Sequence, residues 1–255
     1  MQKKFNITPP PVQTILRVGE RLFLGKNENK DKRIAFSVKA PVNETFTVDW
    51  GDDTIHEYKG SNSRILLYHD YASKKEFIVT IKGIITLFNS NVFDPTGEDV
   101  GFGVDTCDVR DNPYIEALSC SGDLLLRNNY SLRELPRFAV GINNIDISQL
   151  PALECIGFMD SFYNGPLDMS HNPKLKYLSC PCNNITELNV SGCPDLEYLD
   201  ICYNTCELDL RHNHRIKYVF ANGIDKEKIH LPEGRTVISD HEVKVSDEKY
   251  WTLLG

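Results

Sequence analysis

Leu175-Lys176-Tyr177-Leu178-Ser179-Cys180 returns 21 residues on as Leu196-Glu197-Tyr198-Leu199-Asp200-Ile201. Self-similarity at that period marks stacked coils, in which each unit buries its apolar face against the next. Fixing the first apolar residue of each unit aligns six coils, at Ile115, Leu132, Leu153, Leu175, Leu196 and Ile216, with spacings of 17, 21, 22, 21 and 20. Three positions after each anchor runs a second apolar column, Leu118, Leu135, Ile156, Leu178, Leu199 and Val219. Two further on comes a third, in which Arg137 is the charged intruder among Cys120, Phe158, Cys180, Ile201 and Ala221. Eight and six positions before the anchors lie two more, from Cys107 and Val109 in the first coil to Leu208 and Leu210 in the last. These five columns are the expected core.

Between the columns Asn112-Pro113, Leu150-Pro151, Asn172-Pro173, Cys193-Pro194 and Asn213-His214 hold the same place in their coils. Proline fixes φ and the preceding Asn tolerates a tight bend, so this place is a corner. The unit Leu-x-x-Leu-x-Cys-x-x-Asn-x-Ile, completed by Asn183 and Ile185 and echoed by Asn204 and Cys206, resembles the leucine-rich repeat. The wider pattern Leu-x-Val-Ser-x-x-Pro-x-Leu-x-x-Leu resembles the repeats common in surface proteins of gut Bacteroidetes, over about residues 105–232. That resemblance implies a parallel β-sheet with few helices opposite, and export to the cell surface or secretion; a cytoplasmic protein is the alternative. It is silent about the ligand. Residues 229–238 should close the open end as an incomplete seventh coil.

The N-terminal third reads differently. Phe46-Thr47-Val48-Asp49-Trp50-Gly51-Asp52-Asp53-Thr54 is an alternating strand entering a turn, and His69-Asp70-Tyr71 leads to a second strand, Glu76-Phe77-Ile78-Val79-Thr80-Ile81. These stretches resemble the polycystic-kidney-disease-type β-sandwich, departing from it at Asp53, where that family has Gly, and at Asp70, an extra residue. Trp50 is then a core residue and Gly51-Asp52-Asp53 a turn. The expected fold is mainly β: an antiparallel sandwich over residues 1–88, a linker over 89–104, and over 105–255 a solenoid of six coils with a C-terminal cap.

The 255 residues carry a net charge of -8 and no basic stripe, which argues against nucleic-acid binding. No stretch approaches the roughly 18 apolar residues of a membrane span, and residues 1–17 do not read as a secretory signal. Of the eight cysteines, none shares a column with a cysteine of the next coil, so eight free thiols are expected, with Cys182 and Cys202 the one tolerable pair. Cys180-Pro181-Cys182 lacks a partner pair at zinc spacing, and neither a metal nor another cofactor is expected.

Outward positions carry the candidate site. One row of the sheet reads Ala117, Glu134, Cys155, Tyr177, Tyr198 and Tyr218, and the row beside it ends in Asp200 and Phe220. Tyr177, Tyr198, Tyr218, Phe220 and Asp200 are therefore the expected binding surface, on a monomer, for a protein or a glycan. Stacked tyrosines covering a sheet face are the structural alternative. Glu116, Arg133, Glu154, Lys176, Glu197 and Lys217 alternate in sign and should fix the register between coils. An enzymatic alternative would use the opposite acidic row, Asp108, Asp146, Asp168 and Asp209, as a metal site, or Cys155 as a nucleophile. The chain has no phosphate loop, no Gly-x-Ser-x-Gly and no His-Glu-x-x-His. The loops over residues 89–103 are the fallback location of a binding site.

Overall fold

The computed structural model describes residues 11–18, 33–73, 75–90, 104–120, 122–136 and 145–234. Its strands are β1 (Gln13–Val18), β2 (Arg33–Asp49), β3 (Ile55–Asp70), β4 (Phe77–Lys82), β5 (Leu87–Asn89), β6 (Val104–Asp108), β7 (Ala117–Ser119), β8 (Asp123–Leu125), β9 (Glu134–Leu135), β10 (Cys155–Gly157), β11 (Asn164–Asp168), β12 (Tyr177–Ser179), β13 (Asn184–Asn189), β14 (Tyr198–Asp200), β15 (Leu208–Asp209), β16 (Tyr218–Phe220) and β17 (Ile229–His230). The repeats form a β-solenoid. Its main ladder runs β5-β7-β9-β10-β12-β14-β16, all in parallel, each strand from β7 onward carrying its coil's residue of the second apolar column. The opposite side is built from the parallel pairs β6–β8, β11–β13 and β15–β17, with short 3-10 turns and no α-helix among the described residues. The predicted end cap is met by β17, which pairs with β15; residues 235–238 and Arg137 lie outside the described residues.

β5 adds a strand that the repeat alignment did not include. It sits in register with β7, as Leu87↔Ala117 and Phe88↔Leu118, although its coil has no recognisable repeat of its own. On its other side it pairs antiparallel with β2, through Ser37, Val38 and Lys39. The later half of β2 pairs instead with β4, β4 with β1, and β1 with β6, the first strand of the opposite side. One 13-stranded sheet therefore leaves one side of the solenoid, crosses its N-terminal end and returns on the other. β2 changes partner across a register shift between Ala40 and Thr45, where Pro41 cannot donate to a ladder. A separate sandwich was expected over 1–88 with a linker over 89–104; hydrogen bonding instead crosses that boundary twice, at β5–β7 and at β1–β6. The physical reason is that a solenoid's first coil has an apolar end to cover. One continuous core, from Leu16 through Trp50 and Phe88 to Ile224, results.

Trp50 is buried as expected: it stacks on His69 at 4.9 Å, its Nε1 donates to His56 Nδ1 at 3.1 Å, and its carbonyl accepts from the Tyr71 hydroxyl at 2.9 Å. Asp53 has φ 68, in the left-handed region that favours glycine. Asp52 caps the turn through Thr54 and meets His69 at 2.7 Å.

The corners hold a device that the sequence columns only hinted at. Asn112, Asn129, Asn172 and Asn213 are fully or almost fully buried, and each donates through Nδ2 to carbonyls of the coil before it. Asn129 reaches Val109 and Asn112, Asn172 reaches Ile147 and Leu150, and Asn213 reaches Val190 and Cys193, all at 2.9 to 3.0 Å. Asn112 extends the ladder to Ile85 and to Thr14 of β1. Cys193 fills the same column, with its thiol donating to Met169 O at 3.1 Å. Buried carbonyls at a corner have no sheet partner, and these side chains supply one.

Candidate functional site

The tyrosine row forms with the predicted register: Tyr177 pairs Tyr198, which pairs Tyr218, and Asp200 pairs Phe220. Tyr177 and Tyr198 stack at 4.3 Å and 12°, and Tyr198 meets Phe220 at 5.4 Å and Tyr218 at 6.4 Å. The expected exposure is not found. Tyr177 is 3% exposed, Tyr198 and Phe220 7% each, while Tyr218 and Asp200 are half-buried. The four rings form, with Cys155 and Cys202, a second apolar cluster separate from the main core. Asp200 is a turn cap, accepting the amide of Cys202 at 3.2 Å. The row is thus an internal aromatic stack, and its location says where a ring stack helps hold adjacent coils together.

The charge row behaves as the alternation predicts. Glu154 bridges Arg133 and Lys176 at 2.7 Å each, and Glu197 meets Lys217 at 2.7 Å. Burial pushes the Glu154 carboxyl upward, but the two cations more than offset it and hold its pKa below the usual value. Asp195 and Arg215, one column over, add a further link at 2.7 Å.

In the acidic row each side chain caps its own turn: Asp108 accepts the amide of Arg110, Asp146 that of Ser148, Asp168 that of Ser170, Asn189 that of Ser191 and Asp209 that of Arg211, at 2.9 to 3.2 Å. These are Asx turns, a local reason for Asp or Asn at that place. Among the described residues no group of three or more His, Cys, Asp or Glu could hold a metal ion. Burial, together with the carboxylates of Glu134 and Glu154, pushes the Cys155 thiol well up, away from the thiolate a nucleophile needs. All eight cysteines are free, and Cys182 is the exposed one.

Apart from Tyr114 and Tyr130, the exposed large apolar residues among the solenoid's described residues lie elsewhere, on the edge where the chain leaves the main ladder. The bonds Asp160 N to Pro181 O, Cys182 N to Cys202 O and Tyr203 N to Asn222 O align Asp160, Cys182, Tyr203 and Gly223 in one column. All four have left-handed backbone, with φ of 52, 56, 57 and 87. In this column Tyr203 is 63% exposed, and beside it Met159 is 65% and Phe162 80% exposed. Phe162 is itself left-handed at φ 55. Sequence columns missed this edge because the run from Met159 to Tyr163 interrupts the repeat; three large apolar residues at a coil edge were the available signal. The fallback loops over 89–103 lie, beyond Ser90, outside the described residues.

The fold and its surfaces define a mainly β repeat protein. No protein-family profile and no curated protein matches the chain. Among solved structures it is similar to the functional domain of InlJ from Listeria monocytogenes, described as including a cysteine ladder, with 19% identity over 48% of this chain and a TM-score of 0.30. The match spans 39% of that chain. No helix of the described residues is long and apolar enough to cross a membrane.

Proposed function

We propose that the protein is a non-catalytic binding module of the leucine-rich-repeat kind, acting outside a bacterial cell as a monomer, and that it grips a protein partner through the Met159–Phe162–Tyr203 edge. The observation that carries the reading is Phe162, four-fifths exposed on a left-handed residue. A bulky residue there costs conformational energy, and an exposed ring forgoes the stabilisation of burial, so the two costs coincide where a contact could offset them. Tyr203, two coils away, offers a second ring with a polar tip. Apolar Met159 and Phe162 favour a protein surface over a glycan, which would call for more hydrogen-bonding groups at the rings. Export rests on the resemblance of the repeats to surface proteins. The test is a protein and glycan array probed with the wild type and with Phe162→Ser/Tyr203→Ser. Protein hits lost in the double variant support the reading; hits that survive unchanged, or glycans alone, sink it.

A further inference from the structure

The described residues include all eight cysteines and two methionines, Met159 and Met169. Seven of the cysteines and Met169 are buried. The exposed sulfur-bearing residues among the described ones are Met159 and Cys182, and both stand on the edge that carries Phe162 and Tyr203. Gly157 pairs with Ser179, and Asp160 N donates to Pro181 O at 3.2 Å, so Met159 and Cys182 lie one register step apart in adjacent coils.

The two methionines face opposite circumstances. Bonds on both sides hold the backbone of Met159, from Phe158 N to Ser179 O at 2.8 Å and from Asp160 N to Pro181 O, and its own carbonyl accepts from the Ser161 hydroxyl at 3.2 Å. The residue is nonetheless 65% exposed. A reagent in solution therefore meets its thioether without any coil opening, and a polar group formed there leaves the backbone bonds in place. Met169 is fully buried in the main core, and its amide donates to Asn189 O of the next coil at 2.8 Å. Its sulfur becomes reachable only when the coils separate.

We infer that Met159 is a reversible oxidation site through which peroxide weakens the partner-binding edge, a regulation that rests on the reading of that edge as the binding surface. The thioether sulfur attacks one oxygen of hydrogen peroxide. The S–O bond forms as the O–O bond breaks, sulfur gives up two electrons, and the departing hydroxide takes the proton of the transferred oxygen and leaves as water. A flexible apolar side chain thereby becomes polar and chiral, and an apolar partner surface must desolvate the sulfoxide to bind. Methionine sulfoxide reductase, drawing two electrons from a dithiol, releases the oxygen as water and restores the thioether.

The test takes the Cys182→Ser protein, which has no exposed thiol among its described residues, through hydrogen peroxide and then through a methionine sulfoxide reductase with dithiothreitol. Peptide mapping should place the added oxygen on Met159 well before Met169, with the melting temperature unchanged. Retention on a hydrophobic-interaction column should fall on oxidation and recover on reduction, and Cys182→Ser/Met159→Leu should lack that fall. Protein hits from the array should bind the oxidised form at least about fivefold more weakly and recover after reduction. Oxidation of Met169 as fast as Met159, an unchanged retention, or the same fall in the Met159→Leu protein would overturn the site. Hits that bind the oxidised form equally well would overturn the regulation. An array without protein hits sinks the reading of the edge and the regulation with it, while the mapping and the column still decide the oxidation site.

Discussion

Asn204 donates through its side-chain amide to the carbonyl of Cys180, one coil earlier, at 2.9 Å, while its Oδ1 accepts the amide of Ile185 at 2.9 Å. The same Nδ2 also reaches Ile201 O and Cys202 O, and Asn183 repeats the arrangement a coil before with Phe158 O, Cys180 O and Pro181 O. One buried side chain thus satisfies backbone groups of two coils at a place where the chain leaves the sheet. Asn204→Ala leaves them unpaired and should cost about 3 kcal/mol in urea unfolding. A loss under about 1 kcal/mol would show that water replaces the amide.

Gly192 marks another close approach. A Cβ placed there would lie 1.9 Å from Ser170 O, a backbone atom of the adjacent coil that cannot swing aside. Gly192→Ala must therefore push two coils apart, and about 2 kcal/mol or more of stability should be lost. Gly165→Ala is the control for steric effects, since nothing lies within 4 Å of its Cβ position, although its φ of 125 adds backbone strain of its own. If Gly192→Ala melts like the wild type, the coil spacing at that corner is wrong.

The solenoid was legible because each column repeats one physical demand. Leu178, Leu199 and Val219 must be apolar to fill the same core slot, and the spacing of their coils put Tyr177 opposite Tyr198 in the right register. Exposure was not legible, because alternation along a strand separates two faces without saying whether the second face is covered. Asn129 escaped the corner column because no proline follows it, yet its two bonds equal those of Asn172. The role of β2, β4 and β1 in closing the first coil depends on pairings between residues such as Ser37 and Asn89, far apart in sequence and without a repeat to align them.

Tyr198 now has a different expectation from that of a surface anchor. It is buried between Tyr177 and Phe220, so Tyr198→Ala should remove packing from both neighbours and cost about 3 kcal/mol of folding stability. Urea unfolding measures this directly. A variant as stable as the wild type would return the row to the surface and revive it as the binding face.

Thiol chemistry checks the same packing. Under denaturing conditions without prior reduction, a thiol reagent should titrate eight cysteines. In the native protein Cys182 should react first, because burial pushes the thiols of Cys202 and Cys193 up to about 11 and about 12. Fast native reaction at more than one site would mean that the coils open, and a denatured count of six would point to a bridge between Cys182 and Cys202, which are free thiols here.

The pH dependence of stability should reveal the bridging carboxylate. Glu154 has a folded pKa held below its unfolded value near 4.3 by Arg133 and Lys176, against the upward push of burial. A depressed carboxylate stabilises the fold at every pH above its unfolded pKa, and the contribution disappears as pH falls through the folded value. Asp52 and Asp168 are shifted in the same direction, Asp52 by His69 and Thr54 against its own desolvation, and Asp168 chiefly by hydrogen bonds from Ser170. The protein should therefore lose stability below about pH 4. Glu154→Gln isolates one member of this group: at pH 7 it should be less stable by about 1 kcal/mol, a modest figure because both cations are partly solvated. That difference should shrink as the wild-type carboxylate becomes protonated and vanish near pH 3. Urea midpoints of both proteins at pH 7, 5, 4 and 3 measure the closing gap, and a gap that stays constant would assign the loss to packing and remove the charge from the argument.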